Sequence, residues 1–207
     1  MKKILFALIL TAFHQAIFAQ YFYKDLQTTM QTNQLYALLT REGVKKITLS
    51  SFDGNSAESA GFSGEQQVDS RRKTITTVTR TAVMGDSFFE ALYNDHGQLI
   101  GTSDSAQNAR SRATYRYDQD GRLTEINTSS TSDNITTTES HYWSYDAGGR
   151  PAGMLRIRNN SDTTRVSFVL DENGNVAEEK VVRRNLPSVT VFYYYDQMKR
   201  ITDIVRY

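Results

Sequence analysis

The sequence predicts an all-β fold, an antiparallel meander of repeated hairpins forming a single twisted or curled sheet, with a short N-terminal helical segment. Three observations carry this. A seven-residue phrase built on Asp and Gly returns five times in the second half of the chain. The residues before each copy alternate apolar and polar, the period of two that a half-buried strand requires. With 207 residues, 2 Pro and no Cys, the chain suits one domain that must hold together without disulfides.

In chain order, Met1-Lys2-Lys3 is a short basic start, followed by an apolar run from Ile4 to Phe13 and then by Ala19-Gln20. Residues 1–19 read as a secretory signal cleaved after Ala19, with Ile17 at the −3 position. The apolar run is about half of the roughly 20 residues a membrane-spanning helix needs. The expected product is exported (periplasmic, cell-surface or extracellular) and has no membrane span after cleavage. Losing Lys2 and Lys3 leaves 22 basic against 23 acidic residues, a net charge of −1. That balance gives no electrostatic drive towards nucleic acid.

Residues 20–85 read as an N-terminal helix and irregular strands leading into the sheet. Leu26, Met30, Ala37 and Leu38 stand near helical spacing, which predicts a helix over 24–41. Residues 44–54 read as a strand ending in an aromatic-Asp turn at Phe52-Asp53. The Ser/Gly/Gln-rich stretch 55–67 reads as a mobile loop. Residues 73–84 are dense in β-branched side chains and read as a strand leading to a turn near Gly85-Asp86. The sheet is expected to continue through residue 86.

From there to the C-terminus the repeat governs. Its copies are Tyr93-Asn94-Asp95-His96-Gly97-Gln98-Leu99, Tyr117-Asp118-Gln119-Asp120-Gly121-Arg122-Leu123, Tyr145-Asp146-Ala147-Gly148-Gly149-Arg150-Pro151, Leu170-Asp171-Glu172-Asn173-Gly174-Asn175-Val176 and Tyr195-Asp196-Gln197-Met198-Lys199-Arg200-Ile201. The fifth position recurs at intervals of 24, 28, 25 and 25 residues. Asp or Asn at a turn's start accepts bonds from backbone two residues on, and Gly supplies the positive φ that closes a bulged hairpin. Lys199 at that position implies a strain of about 1 kcal/mol. The preceding strands put Tyr115 with Tyr117, His141 with Trp143 and Tyr145, Val166 with Phe168 and Leu170, and Val191 with Tyr193 and Tyr195 on shared faces. Second strands lead away over 123–128, 152–158, 176–183 and 201–207. The joins between hairpins, such as 129–138, are polar and variable. A lone hairpin is marginal in water, so the units must pair side by side.

The phrase Tyr-Asp-x-x-Gly-Arg-Leu, complete in Tyr117–Leu123 and partial in the other copies, resembles the YD-repeat (Rhs-like) family. The resemblance spans residues 86–207 and implies a small secreted bacterial member. Members of that family build long β-sheet strips that wrap into hollow containers, and this chain has too few units to enclose another protein.

Chemistry is sparse. Asp118-x-Asp120-Gly121 and Asp171-x-Asn173-Gly174 glance at calcium loops, but Arg116 and Val169 stand where a further ligand belongs. Beyond the signal only His96 and His141 remain, in different units, which argues against zinc. There is no Gly-x-Ser-x-Gly elbow, and Glu178 and Glu179, adjacent on a strand, point to opposite faces. The expectation is therefore a non-enzymatic protein with no cofactor and no metal. Arg156, Arg158, Arg183 and Arg184 read as solvated strand faces or edge protection, their field offset by Glu178, Glu179 and Asp203. The one feature with binding promise is an aromatic stripe of Tyr115, Tyr117, Trp143, Tyr145, Tyr193 and Tyr195. It reads either as the core face or as a surface that stacks on sugar rings. Tyr142, Phe192 and Tyr194 put aromatics on the opposite face as well. The leading expectation is an exported scaffold or interaction module at the bacterial cell envelope, with an unknown protein or an envelope glycan as partner. The alternatives are a glycan-binding module using the stripe and an outer-membrane β-barrel.

Overall fold

The computed structural model describes residues 21–52, 58–82 and 85–207. The signal segment 1–19 and the turn at Asp53-Gly54 lie outside the described residues. One helix, α1 (Tyr23–Arg41), precedes thirteen strands: β1 (Lys46–Phe52), β2 (Glu58–Asp69), β3 (Thr74–Thr81), β4 (Gly85–Tyr93), β5 (Leu99–Ala106), β6 (Ala109–Tyr117), β7 (Leu123–Ser132), β8 (Ile135–Tyr145), β9 (Pro151–Arg158), β10 (Asp162–Leu170), β11 (Val176–Arg183), β12 (Val189–Tyr195) and β13 (Ile201–Arg206). They form one sheet in strict chain order, every neighbour antiparallel and β3 paired to β4 straight through residue 86. β1 and β13 do not pair with each other, so the sheet stays open. The closed-barrel alternative is thereby overturned.

The repeated phrase makes a row of turns along one edge. In the second copy the Asp118 side chain accepts from the backbone N–H groups of Asp120 and Arg122 and from Arg122 Nε. Asp146 and Asp196 do the same with Arg150 and Arg200. Gly97, Gly121, Gly149 and Gly174 take φ between 73° and 79°, and Lys199 is forced to 59°. The register slips by one residue at each of these turns, the expected bulge. A further positive φ at Lys73 (58°) sits 24 residues before Gly97, so the row of turns begins one hairpin earlier than the phrase reveals. There Asp69 again accepts two backbone N–H groups, those of Arg71 and Arg72.

Three expectations about local structure are corrected. Residues 58–67 are strand, not loop: β2 is held between β1 and β3, and at Gly64 a Cβ would come within 3.0 Å of the Leu49 side chain. Small and polar residues suffice where both flanks are already paired. The Ser/Thr-rich join 129–138 is mostly strand too. Ser129 to Ser132 pair with Thr138 to Ile135 around a tight turn at Asp133 and Asn134, both at positive φ. Finally, α1 is a full helix, but Met30 and Leu38 are exposed, whereas Thr29, Tyr36 and Leu39 are buried.

The helix covers one face of the sheet. Near its start Phe22 is fully buried, and Tyr23 meets Tyr193 of β12 edge-on at 5.4 Å. Near its end Tyr36 stacks on Tyr93 of β4 at 3.8 Å. Those two contacts are eight strand spacings apart, roughly 38 Å along a flat sheet. The helix advances only about 20 Å between Tyr23 and Tyr36. Ring reach closes part of the gap, and the curl of the sheet towards the helix closes the rest. Burying each large apolar side chain here contributes about 2 kcal/mol.

Candidate functional site

Where the first turns of α1 cross β8 to β11, buried charge replaces apolar contact. His141 on β8 faces inwards, with Nδ1 2.6 Å from Asp25 Oδ2 on the helix and Nε2 2.8 Å from Glu139 Oε1. Glu139 in turn holds Arg156 of β9 at 2.7 Å, and Arg156 reaches Thr164 of β10. Cross-strand register makes this inevitable once His141 faces in, because His141, Arg156, Thr164 and Arg183 are successive partners across four strands. Burial opposes charge on His141, but the two carboxylates outweigh it and hold the imidazolium up at about 9. Burial likewise pushes Glu139 up, and His141 and Arg156 overcome it, drawing the carboxyl down to about 2. With both ring nitrogens donating to carboxylates, His141 has no lone pair for a proton or a metal.

One strand further on, Glu179 is fully buried. Its carboxylate accepts from the backbone N–H groups of Phe22 (2.9 Å) and Tyr23 (2.9 Å) and from the Tyr193 hydroxyl (2.7 Å). Phe22 has no side-chain cap of its own, so a strand residue 157 positions away caps the helix. Burial raises the Glu179 carboxyl against the pull of those donors. The reading of Arg156 as solvated and of Glu179 as a surface counter-charge is therefore corrected. Arg156 is 4% exposed, and both residues belong to the latch beneath the helix. Alternation in the strands puts these positions inside, but only the helix, supplied from far away in the chain, makes charges tenable there.

The six stripe residues all lie on this covered face. Trp143 and Tyr193 are buried, and Trp143 stacks on Phe168 at 5.5 Å. Tyr115, Tyr117, Tyr145 and Tyr195 are half-buried and packed against the same core. Three of their hydroxyls form a ladder: Tyr117 donates to the Leu99 carbonyl (2.8 Å), Tyr145 to that of Leu123 (2.6 Å) and Tyr195 to that of Val176 (2.8 Å). In each case the first residue of one phrase bonds to the last residue of the phrase before. The fourth copy has Leu170 in the tyrosine position and omits the rung. Burial lifts the Tyr145 hydroxyl to about 12. Arg122 also lies over the Tyr145 ring, 5.2 Å from its centre, tying adjacent turns together.

Other surfaces stay open to solvent. A cleft of about 510 Å³ beside the latch is lined by Lys24, Asp25, Thr28, Tyr115 and Glu139, among others. Its carboxylates are already committed to His141 and Arg156. On the face turned away from the helix, Arg116, Glu125, Tyr142, Leu155, Arg165 and Val182 lie in one cross-strand row, with Tyr142 41% exposed. Near the turns on that same face, a cleft of about 440 Å³ has Phe192 and Tyr194 beside Asn173, Asn175, Glu178 and Gln197. Tyr194 is 49% exposed. Among the described residues no group of three or more His, Asp or Glu is placed to hold a metal, and no helix is long and apolar enough to cross a membrane. No family model and no curated protein matches the chain.

Proposed function

We propose that this protein is an exported interaction scaffold of the bacterial cell envelope, a small relative of the YD-repeat proteins that presents one uncovered sheet face to a partner. The observation that carries the reading is the division of the two faces. The inner face lies under α1 and its latch, while the outer face keeps Tyr142, Tyr194, Arg116 and Arg165 in solvent. A face with aromatics and arginines left open is an interaction surface more readily than a neutral exterior. The basic start, apolar run and Ala19-Gln20 junction support export. Fractionation with terminal sequencing tests the first half: the expected product leaves the cytoplasm and begins at Gln20. Affinity capture from envelope extract, compared with a Tyr142→Ser/Arg165→Glu variant, tests the second. Retention of the same partners by that variant would refute the assigned face.

A glycan-binding role remains the second reading, favoured by the outer cleft at Tyr194, where an exposed ring stands among amide and carboxylate side chains. A glycan that binds there weakens on Tyr194→Ala and is indifferent to Trp143.

A further inference from the structure

We infer that the outer face of β4 to β8 carries a further site, for an acidic polysaccharide, in which Arg110 and Arg112 hold the anionic groups of the chain and Phe88 stacks on a sugar ring. It shares no residue with the surface at Tyr142 and Arg165 or with the cleft at Tyr194. It rests only on the reading of the outer sheet face as the uncovered one.

Strand register assembles the site. Arg110 and Arg112 stand two residues apart on β6, so both project to one side with their Cα atoms about 7 Å apart. That side is turned away from α1, because Ala113 and Tyr115, at the opposite parity, pack into the covered core. One cross-strand row runs from Phe88 through Ser105 and Arg110 to Thr131. The next runs from Glu90 through Ser103 and Arg112 to Ser129. Both arginines are exposed, and Phe88 is 49% exposed.

Charge sets these two arginines apart from others on the face. Arg80 is paired with Asp86 and Arg116 with Glu125. Arg110 and Arg112 have no ion pair or hydrogen bond among the described residues, and their direct cross-strand neighbours are all hydroxyl side chains. Two such guanidinium forks fit the oxygens of a carboxylate or a sulfate ester. Phe88 and Glu90 lie two strands away, about 10 Å from Arg110 and Arg112. At that distance the ring meets the apolar face of a sugar, and Glu90 accepts from sugar hydroxyls without opposing the anion.

The same composition weighs against other polyanions. A protein partner needs an apolar centre, and from β4 to β8 these two rows offer Phe88 alone. A nucleic acid gains affinity from many phosphate contacts, and here only two unpaired cations stand together. A hydroxyl-rich, flat surface with one ring and one pair of cations suits a sugar chain that carries acid groups.

The test titrates a labelled oligogalacturonate and, separately, a labelled heparin oligosaccharide into the purified chain by fluorescence anisotropy at low salt. Saturable binding to at least one is expected, and the tighter of the two tells whether carboxylate or sulfate is the group held. The neutral methyl ester of the oligogalacturonate should bind at least about tenfold more weakly than the tighter acid chain. Arg110→Gln/Arg112→Gln should weaken that binding at least about tenfold, and Phe88→Ala about fivefold. All three side chains are exposed, so the circular dichroism spectrum should not change. Arg71→Gln/Arg72→Gln removes the same charge from the turn after β2 and should bind like the wild type. No saturable binding to either acid chain overturns the proposal, as does equal binding of the methyl ester. An equal loss in the Arg71/Arg72 variant also overturns it, because net charge alone would then be responsible. So does tighter binding of a single-stranded oligonucleotide of matching charge. Capture that still depends on Tyr142 and Arg165 while no acid chain binds leaves the scaffold reading standing, so the two fail separately.

Discussion

Titrating His141 separates a helix latched by charge from one held by apolar contact alone. The imidazole rises from its ordinary 6.5 to about 9 on folding, because Asp25 and Glu139 outweigh the burial that opposes its charge. Holding the proton that much more tightly contributes about 3 kcal/mol. The folded-state value lies above the unfolded one, so this stabilisation is fully present below about pH 6.5 and is lost as the pH rises through about 9. Glu139, drawn down to about 2, reports the same contacts from the other side. Its contribution is present above its ordinary 4.5 and is lost only as pH falls through about 2. The assay is urea unfolding at a series of pH values, followed by the fluorescence of buried Trp143. Between about pH 6 and about pH 9 the wild type should lose close to 3 kcal/mol, while His141→Gln, less stable at the outset, should be nearly flat. A wild type that is flat across that range, or a His141→Gln variant that falls as steeply, refutes the latch.

Other consequences follow from particular bonds. Tyr145→Phe removes one rung of the hydroxyl ladder and should cost about 1 kcal/mol in chemical denaturation. The corresponding change in the fourth copy has no equivalent, because Leu170 already lacks the hydroxyl. Glu179→Ala strands two backbone N–H groups and the Tyr193 hydroxyl in the core, a loss of about 3 kcal/mol or more read as a lowered denaturation midpoint. At the turns, Gly149→Ala should destabilise by about 1 kcal/mol, since φ is +76° and the new Cβ would lie 3.1 Å from Arg122 Nη1. Lys199→Gly should stabilise by a similar amount, because glycine relieves a φ of 59°.

What the sequence discloses and what it hides divide along contact distance. The Asp118 and Asp146 turns satisfy themselves within five residues, so spacing alone reveals them and the bulges they impose. Strand parity is equally local, and it puts Trp143 and Tyr193 on one face. β2 is different: Gly64 and its polar neighbours carry no alternation, and only pairing on both sides makes them strand. The latch is hidden for the same reason. Asp25 meets His141 across 116 residues and Phe22 meets Glu179 across 157, with no local pattern to announce either. Arg156 looks solvated in a strand of mixed charge until the helix closes over it. One signal was available for the covered face: an inward row carrying His141, Arg156 and Glu179 amid aromatics must bury its charges in pairs or not be buried at all.

Among the described residues the sheet is open, one face lies under α1 and β13 is paired to β12 alone, an arrangement that amide hydrogen exchange reads residue by residue. Along β13 the N–H groups of Asp203, Val205 and Tyr207 should be protected, while those of Thr202, Ile204 and Arg206 exchange freely; β8, inside the sheet, should be protected at every residue. Uniform protection along β13 would contradict an open sheet, because both sides of that strand would then be paired.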